Sequence, residues 1–82
     1  MEGKGYEIMN EFKVEGKIIE IKEDRTILLK VAPTTIVTVS CDSKIKIEKY
    51  SIGEMVEILG YITTYKPLLT ICLIATKITR KD

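Results

Sequence analysis

The chain has no histidine and no tryptophan, and it has only two cysteines in 82 residues. Histidine is the commonest general acid or base in enzymes, so its absence removes the usual route to proton-transfer catalysis. A structural zinc site needs four cysteine or histidine ligands, and two cysteines fall short of that number. We therefore predict that the protein is not an enzyme and that it holds no metal ion or other cofactor.

An excess of charge of either sign is also missing. Lysine and arginine total 13 and aspartate and glutamate total 12, which leaves a formal net charge of +1. A dedicated nucleic-acid binder usually carries a larger positive excess. Any surface that attracts anions must therefore arise from local clustering of cations.

No stretch of the sequence is long and apolar enough to span a bilayer. Residues 1–11 lack the apolar segment of a signal peptide, so we expect a cytoplasmic protein, nucleoid-associated in a prokaryote, with no membrane partner. Cys41 and Cys72 are then expected as reduced, buried thiols that act as small apolar residues. A disulfide or a reactive thiol is the alternative.

Most of the chain has the sequence pattern of β-strands. Apolar and polar residues alternate from Phe12 with the period of a half-buried strand. The alternation shifts phase at Ile18-Ile19, just after Gly16, which is the pattern of a bulge or a sharp bend. Polar turns and Pro33 separate the later runs. We predict a flexible arm over 1–11 and one domain over 12–82, with strands over 12–23, 26–32, 35–41, 55–64 and 68–78.

Residues 42–52 lie between the third and fourth predicted strands. Asp42-Ser43 can cap a helix, and Ile45, Ile47 and Tyr50 can form a short buried turn or helix. Ile45 and Ile47 also alternate, so an extended segment is equally consistent with the pattern. At most one short helix is expected in an otherwise all-β domain.

Two glycine-containing segments carry a resemblance to a known fold family. Gly16-Lys17-Ile18-Ile19-Glu20-Ile21 opens the domain, and Met55-Val56-Glu57-Ile58-Leu59-Gly60 forms the fourth strand. Together with five strands over about residues 12–79, these segments resemble an OB-fold. Within that family they are similar to the small subunit of replication protein A and to the related small subunit of the telomeric CST complex. The resemblance implies a five-stranded Greek-key barrel.

The family also implies a ligand face. OB-folds bind single strands on the face of the second and third strands, between the loops that join strands one and two and strands four and five. The outward phase of those two strands has no aromatic residue, so the flanking loops must supply one. The predicted contacts are Lys22, Arg25, Lys30, Tyr61, Tyr65 and Lys66. Tyr61 and Tyr65 have a second interpretation, in which they only cover the end of the barrel.

The fifth predicted strand is apolar on both of its faces. With Leu69, Ile71 and Leu73 in the barrel, its other face needs a cover, because contiguous exposed apolar surface usually marks an interface. The predicted protein interface consists of Ile36, Leu59, Leu68, Cys72, Ile74 and Ile78. In the alternative, the N-terminal arm or the 45–50 segment folds over this surface.

From the resemblance we expect an accessory subunit of a single-stranded nucleic-acid-binding complex of the replication protein A type. It would act mainly in assembly with other OB-fold subunits or as a homo-oligomer, and it would bind single-stranded DNA weakly, in preference to RNA. The family's C-terminal assembly helix has no counterpart after the fifth strand, so a partner would have to supply it. A stand-alone RNA-binding OB module, associated with tRNA or the ribosome, and a purely structural interaction domain are the alternatives.

Overall fold

The computed structural model describes residues 8–65 and 70–81, and this part of the chain is a five-stranded barrel. Its elements are β1 (Ile8–Ile21), β2 (Thr26–Ala32), β3 (Thr35–Cys41), a 3-10 turn (Ile47–Lys49), β4 (Met55–Tyr65) and β5 (Thr70–Arg80). The predicted all-β fold with at most one short helix is confirmed. The described residues include no helix of a length and apolarity that would cross a bilayer.

The strand order β1-β2-β3-β5-β4 closes the sheet into a barrel. All neighbouring pairs are antiparallel except β3 and β5, which run parallel. The long β1 pairs with β4 from Ile8 to Lys17 and with β2 from Lys17 to Ile21. This arrangement, in which the first strand bends to serve two neighbours, is that of the OB-fold.

The bend in β1 coincides with an irregularity in its pairing. The register with β2 shifts between Ile18 and Glu20, which leaves Ile19 as the extra residue of a bulge. The predicted phase shift at Ile18-Ile19 is thereby confirmed. The strand begins at Ile8, so residues 8–11, which the sequence analysis assigns to the arm, pair with β4. The rest of that arm lies outside the described residues.

The core fills the barrel with aliphatic side chains from every strand. Its fully buried members are Ile18, Ile27, Leu29, Val39, Val56, Ile58 and Ala75. The 42–52 connection closes one end of the barrel, because Ile45 is buried and Ile47 and Tyr50 pack against the core. The Tyr50 hydroxyl donates a hydrogen bond to the Ile78 carbonyl at 3.1 Å.

The predicted faces of β5 are wrong at two positions. Ile78 was expected outside, but only 8% of it is exposed, and Ile71 was expected inside, but 65% of it is exposed. The cause at Ile78 is a bulge at Thr76: Gly60 pairs with Ala75 while Leu59 pairs with Lys77, so the inward phase changes after Ala75. Ile74 is the first residue of β5 that pairs with β3. Ile71 comes before it in the chain and therefore lies outside the closed part of the barrel.

Candidate functional site

One row of outward side chains crosses four strands of the barrel. Met55 of β4 pairs with Lys17 of β1, Lys17 pairs with Lys30 of β2, and Lys30 pairs with Ile36 of β3. The apolar ends are unusually exposed, with 46% of Met55 and 53% of Ile36 accessible to solvent. We call these four residues the lysine row.

The two central residues of the lysine row are like charges at directly opposed positions. Lys17 and Lys30 are Cα partners on neighbouring strands, and both are exposed. Like charges placed directly opposite each other destabilise a sheet. Within residues 8–65 and 70–81, neither lysine forms an ion pair with a carboxylate. The fold therefore holds two uncompensated cations side by side.

The nearest carboxylates on the same outer surface are already paired with other lysines. Glu15 accepts from the Lys81 ammonium at 3.1 Å, and Glu57 lies 3.6 Å from the Lys13 ammonium. The hydrogen bond from Lys81 to Glu15 raises the pKa of Lys81. Because these acids are occupied, the charge of Lys17 and Lys30 remains available to a ligand.

An open groove of about 560 Å³ runs beside the two lysines. Charged and apolar residues together line this groove. They are Glu15, Gly16, Lys17, Lys30, Val31, Ala32, Pro33 and Met55. Two cations above apolar side chains suit a ligand that carries a phosphate or carboxylate next to an apolar group.

Arg25, one of the predicted ligand contacts, makes hydrogen bonds within the fold. Its Nη2 donates to the carbonyls of Asp42 and Ile45 at 2.7 and 2.6 Å. Its own carbonyl accepts from the Cys41 amide at 2.9 Å, and its backbone has a φ of 70°. The guanidinium therefore ties the β1–β2 turn to the 42–52 connection.

Among the predicted nucleic-acid contacts that the structure describes, Tyr61 lies far from Lys30. Tyr61 pairs with Glu11 of β1, whereas Lys30 pairs with Lys17, and these two positions on β1 are about 20 Å apart at 3.3 Å per residue. Lys22 is exposed just after the end of β1. The Tyr65 side chain and Lys66 lie outside the described residues.

The residues of the predicted protein interface that the structure describes do not all lie on one surface. Leu59, Cys72 and Ile74 are half-buried on the outer surface of β4 and β5, where Tyr61 pairs with Ile74. Ile36 belongs instead to the lysine row, Ile78 to the core, and Leu68 lies outside the described residues.

The two cysteines lie on different strands, Cys41 on β3 and Cys72 on β5. Cys41 is half-buried on β3 opposite Ala75, and no disulfide joins it to Cys72 in the described part of the chain. Burial raises the pKa of the Cys41 thiol, and the nearby positive charge of Arg25 opposes that effect. The thiol of Cys41 is therefore held in its protonated form at neutral pH.

Sequence reasoning missed Lys17 and Met55. Both could be placed on the outward phase of their strands from the alternation alone. Their position beside Lys30 depends on the register between β1, β2 and β4, which the alternation does not reveal.

No protein-family model matches the chain, and no curated protein matches it in sequence. The lysine row is therefore the observation from which a function is inferred.

Proposed function

We propose that the protein binds single-stranded nucleic acid through the lysine row, as an accessory subunit of a single-strand-binding assembly. The observation that carries the proposal is the pair of opposed, exposed and uncompensated lysines, Lys17 and Lys30. They lie on the outer surface of β1 and β2, adjoining the β2–β3 face that OB-fold barrels use for single strands.

Binding would come mainly from phosphate attraction. Two neighbouring cations relieve their mutual repulsion when a phosphodiester lies between them. Met55 and Ile36 then offer apolar contact to the sugar or base on either side. The lysine row has no aromatic side chain, so it lacks the stacking energy of about 1–3 kcal/mol per base that aromatic platforms supply. We therefore expect weak, salt-sensitive binding, with DNA favoured over RNA on the resemblance to replication protein A.

The chain offers a matched pair of variants for a test. Lys17→Gln with Lys30→Gln removes the two unpaired cations of the lysine row, and Lys44→Gln with Lys46→Gln removes two exposed cations of the 42–52 connection, outside that row. Both double variants change the net charge equally. We expect the first to weaken binding of a labelled oligonucleotide and to lower the salt slope of log affinity by about 1.4, since each phosphate contact to a single strand contributes about 0.7. The second should leave that slope nearly unchanged.

Fluorescence anisotropy over a series of salt concentrations, with DNA and RNA oligonucleotides of the same sequence, gives both values. Equal losses of affinity in the two double variants would show that binding depends only on net charge. That result would contradict binding through the lysine row. Absence of binding at low salt would leave assembly as the only proposed role.

Assembly is the second part of the proposal, and a separate observation favours it. Tyr61 and Ile74 pair across β4 and β5 on the outer surface, and Leu59 is the next outward residue of β4. All three are half-buried, and charged Glu11 and Lys77 lie at the rim of this patch. An apolar centre with a charged rim is typical of a protein interface.

If the partner is a second copy, the oligomer should dissociate when Ile74 is replaced by lysine. Light scattering over a range of protein concentrations measures this, with Ile52→Lys as the control, because Ile52 is exposed on a turn outside the patch. A wild-type protein that stays monomeric at every concentration would contradict the homo-oligomer. In that case the partner would be a different OB-fold subunit, or the protein would be a stand-alone RNA-binding module. The titration with DNA and RNA oligonucleotides distinguishes these two possibilities.

A further inference from the structure

The groove beside the lysine row lies where β1 and β2 part from each other. β1 pairs with β2 from Lys17 to Ile21, whereas Glu15 and Gly16 pair with β4 alone among the described strands. On the other side of the groove, residues 31–33 continue past Lys30 into the β2–β3 hairpin. The volume of about 560 Å³ falls within the range of about 300–1,000 Å³ that is usual for small-molecule sites. The groove therefore has room for a ligand the size of a nucleotide.

The cations of the groove converge on one position. Lys17 and Lys30 are directly opposite each other, which places their Cα atoms about 4.5–5.5 Å apart. Each ammonium group ends a flexible four-carbon stem, so both can reach the same anion. Their neighbours in the lysine row, Met55 and Ile36, are uncharged, and the next outward residue of β1 is the acidic Glu15. The unpaired positive charge is therefore concentrated at a single anion position and does not continue along a path.

The charge of this position distinguishes between two kinds of phosphate. A phosphodiester inside a strand carries one negative charge, whereas a phosphomonoester carries about −1.5 to −2 at neutral pH. Two uncompensated ammonium groups match the charge of one phosphomonoester and only half of their charge is matched by a phosphodiester. Val31, Pro33 and Met55 add apolar surface to the same groove, which suits the sugar or base attached to the phosphate.

We propose that the groove holds the terminal nucleotide of a single strand, with the phosphomonoester of that nucleotide between Lys17 and Lys30. The sugar and base would then contact Pro33 and Met55. This inference rests on the proposed function and adds a preference for a phosphorylated strand end over the interior of a strand. A free nucleotide has the same chemistry, and the experiment below distinguishes it from a strand end.

The test compares three oligonucleotides of one sequence, each with an internal fluorophore. One has a 5′-phosphate, one has a 3′-phosphate, and one has hydroxyl groups at both ends. Fluorescence anisotropy at pH 7.5 and low salt should show at least one phosphorylated strand bound about five- to tenfold more tightly than the hydroxyl-ended strand, because the added charge meets two cations. Equal affinities, with binding still lost in Lys17→Gln with Lys30→Gln, would overturn this inference and leave the proposed function standing. Absence of binding by all three strands would contradict both.

The protonation of the end phosphate gives a second measurement. Its second pKa is about 6, so the preference for the phosphorylated strand should fall by about twofold between pH 7.5 and pH 5.5. The charged protein groups in and around the groove are Glu15, Lys17, Lys30, Glu57 and Lys81. Carboxylates and ammonium groups keep their charge over this range, so the hydroxyl-ended strand should bind equally at both pH values. A preference that does not change with pH would overturn the inference.

Single variants locate the end phosphate. Lys17→Gln and Lys30→Gln, each alone, should lower the preference at least about twofold, since each removes one of the two cations. Lys44→Gln with Lys46→Gln changes exposed cations outside the groove and should keep the full preference. The same preference in all of these proteins would place the end phosphate elsewhere and would overturn the inference.

Competition with a nucleoside 5′-monophosphate identifies the source of the phosphomonoester. It should displace the phosphorylated strand only at concentrations far above the Kd of that strand, because it lacks the contacts of the neighbouring nucleotides. Displacement at concentrations similar to that Kd would identify a free nucleotide as the ligand and would overturn the assignment to a strand end.

Discussion

Replacing Gly60 with alanine should unfold the protein or leave it barely stable. A Cβ atom on Gly60 would lie 1.8 Å from the Ile74 carbonyl oxygen and 2.8 Å from the carbon of that carbonyl. Both atoms are backbone atoms of the neighbouring strand, so no side-chain rotation can relieve the clash. Gly60 also stands at the bulge where β4 and β5 change register, and relief would require these strands to separate.

The size of this effect follows from the small total stability of the domain. An 82-residue chain has a free energy of unfolding of about 4–12 kcal/mol. Forcing two backbones apart in a packed barrel should cost at least about 3 kcal/mol. The midpoint of thermal unfolding, followed by circular dichroism, should fall by about 12–24 °C.

Gly53 provides the control. Its φ is +100°, and nothing lies within 4 Å of an added Cβ atom, so alanine there meets backbone strain without a clash. We expect Gly53→Ala to cost about 1–2 kcal/mol. A Gly60→Ala protein as stable as Gly53→Ala would show that β4 and β5 do not approach as closely as the structure has them.

Replacing Arg25 with alanine should cost about 2–4 kcal/mol of stability. The change leaves the Asp42 and Ile45 carbonyls without their shared donor, and hydrogen bonds that involve a charged group contribute about 1.5–3 kcal/mol each. Urea unfolding should show a lower midpoint with an unchanged slope, since the surface exposed on unfolding stays the same.

Three further variants separate the possible roles of Arg25. Arg25→Lys keeps the charge but lacks the planar guanidinium, so it should lose most of the same stability. Arg25→Gly should be less destabilised than Arg25→Ala by up to about 1 kcal/mol, because glycine tolerates the positive φ. Lys22→Ala, at a neighbouring exposed cation, should change stability by less than about 0.5 kcal/mol. An Arg25→Ala protein of full stability but weaker nucleic-acid binding would show that Arg25 contacts the ligand and does not stabilise the fold.

The elements of the fold were accessible from the sequence because their signals are local. Alternation and the turns at Asp24 and Pro33 placed β2 and β3 at the bounds that the structure shows. The bulge in β1 was also visible, since an extra residue shifts the phase of the alternation within one strand. In β5 the apolar residues occupy both phases, so the bulge at Thr76 left no such mark and the assignment of Ile78 failed. The exposure of Ile71 has another cause, since this residue lies before the part of β5 that pairs with β3.

Only part of the candidate site could be predicted from the sequence, because the site depends on pairing between strands. Lys30 was identified on the outward phase of β2, but Lys17 was not, because its place opposite Lys30 is a property of two strands and not of one. The hydrogen bonds of Arg25 within the fold could not be predicted, because a sequence shows a charge but not the carbonyls that the charge meets.

The amino-acid order alone determined that this protein is a small all-β domain, where its second and third strands begin and end, and that it has no histidine and only two cysteines. Tertiary structure decided which charges stand together and where β3 and β5 pair to close the barrel. Strand formation depends on neighbours within a few residues, whereas register and closure depend on hydrogen bonds between segments far apart in the chain.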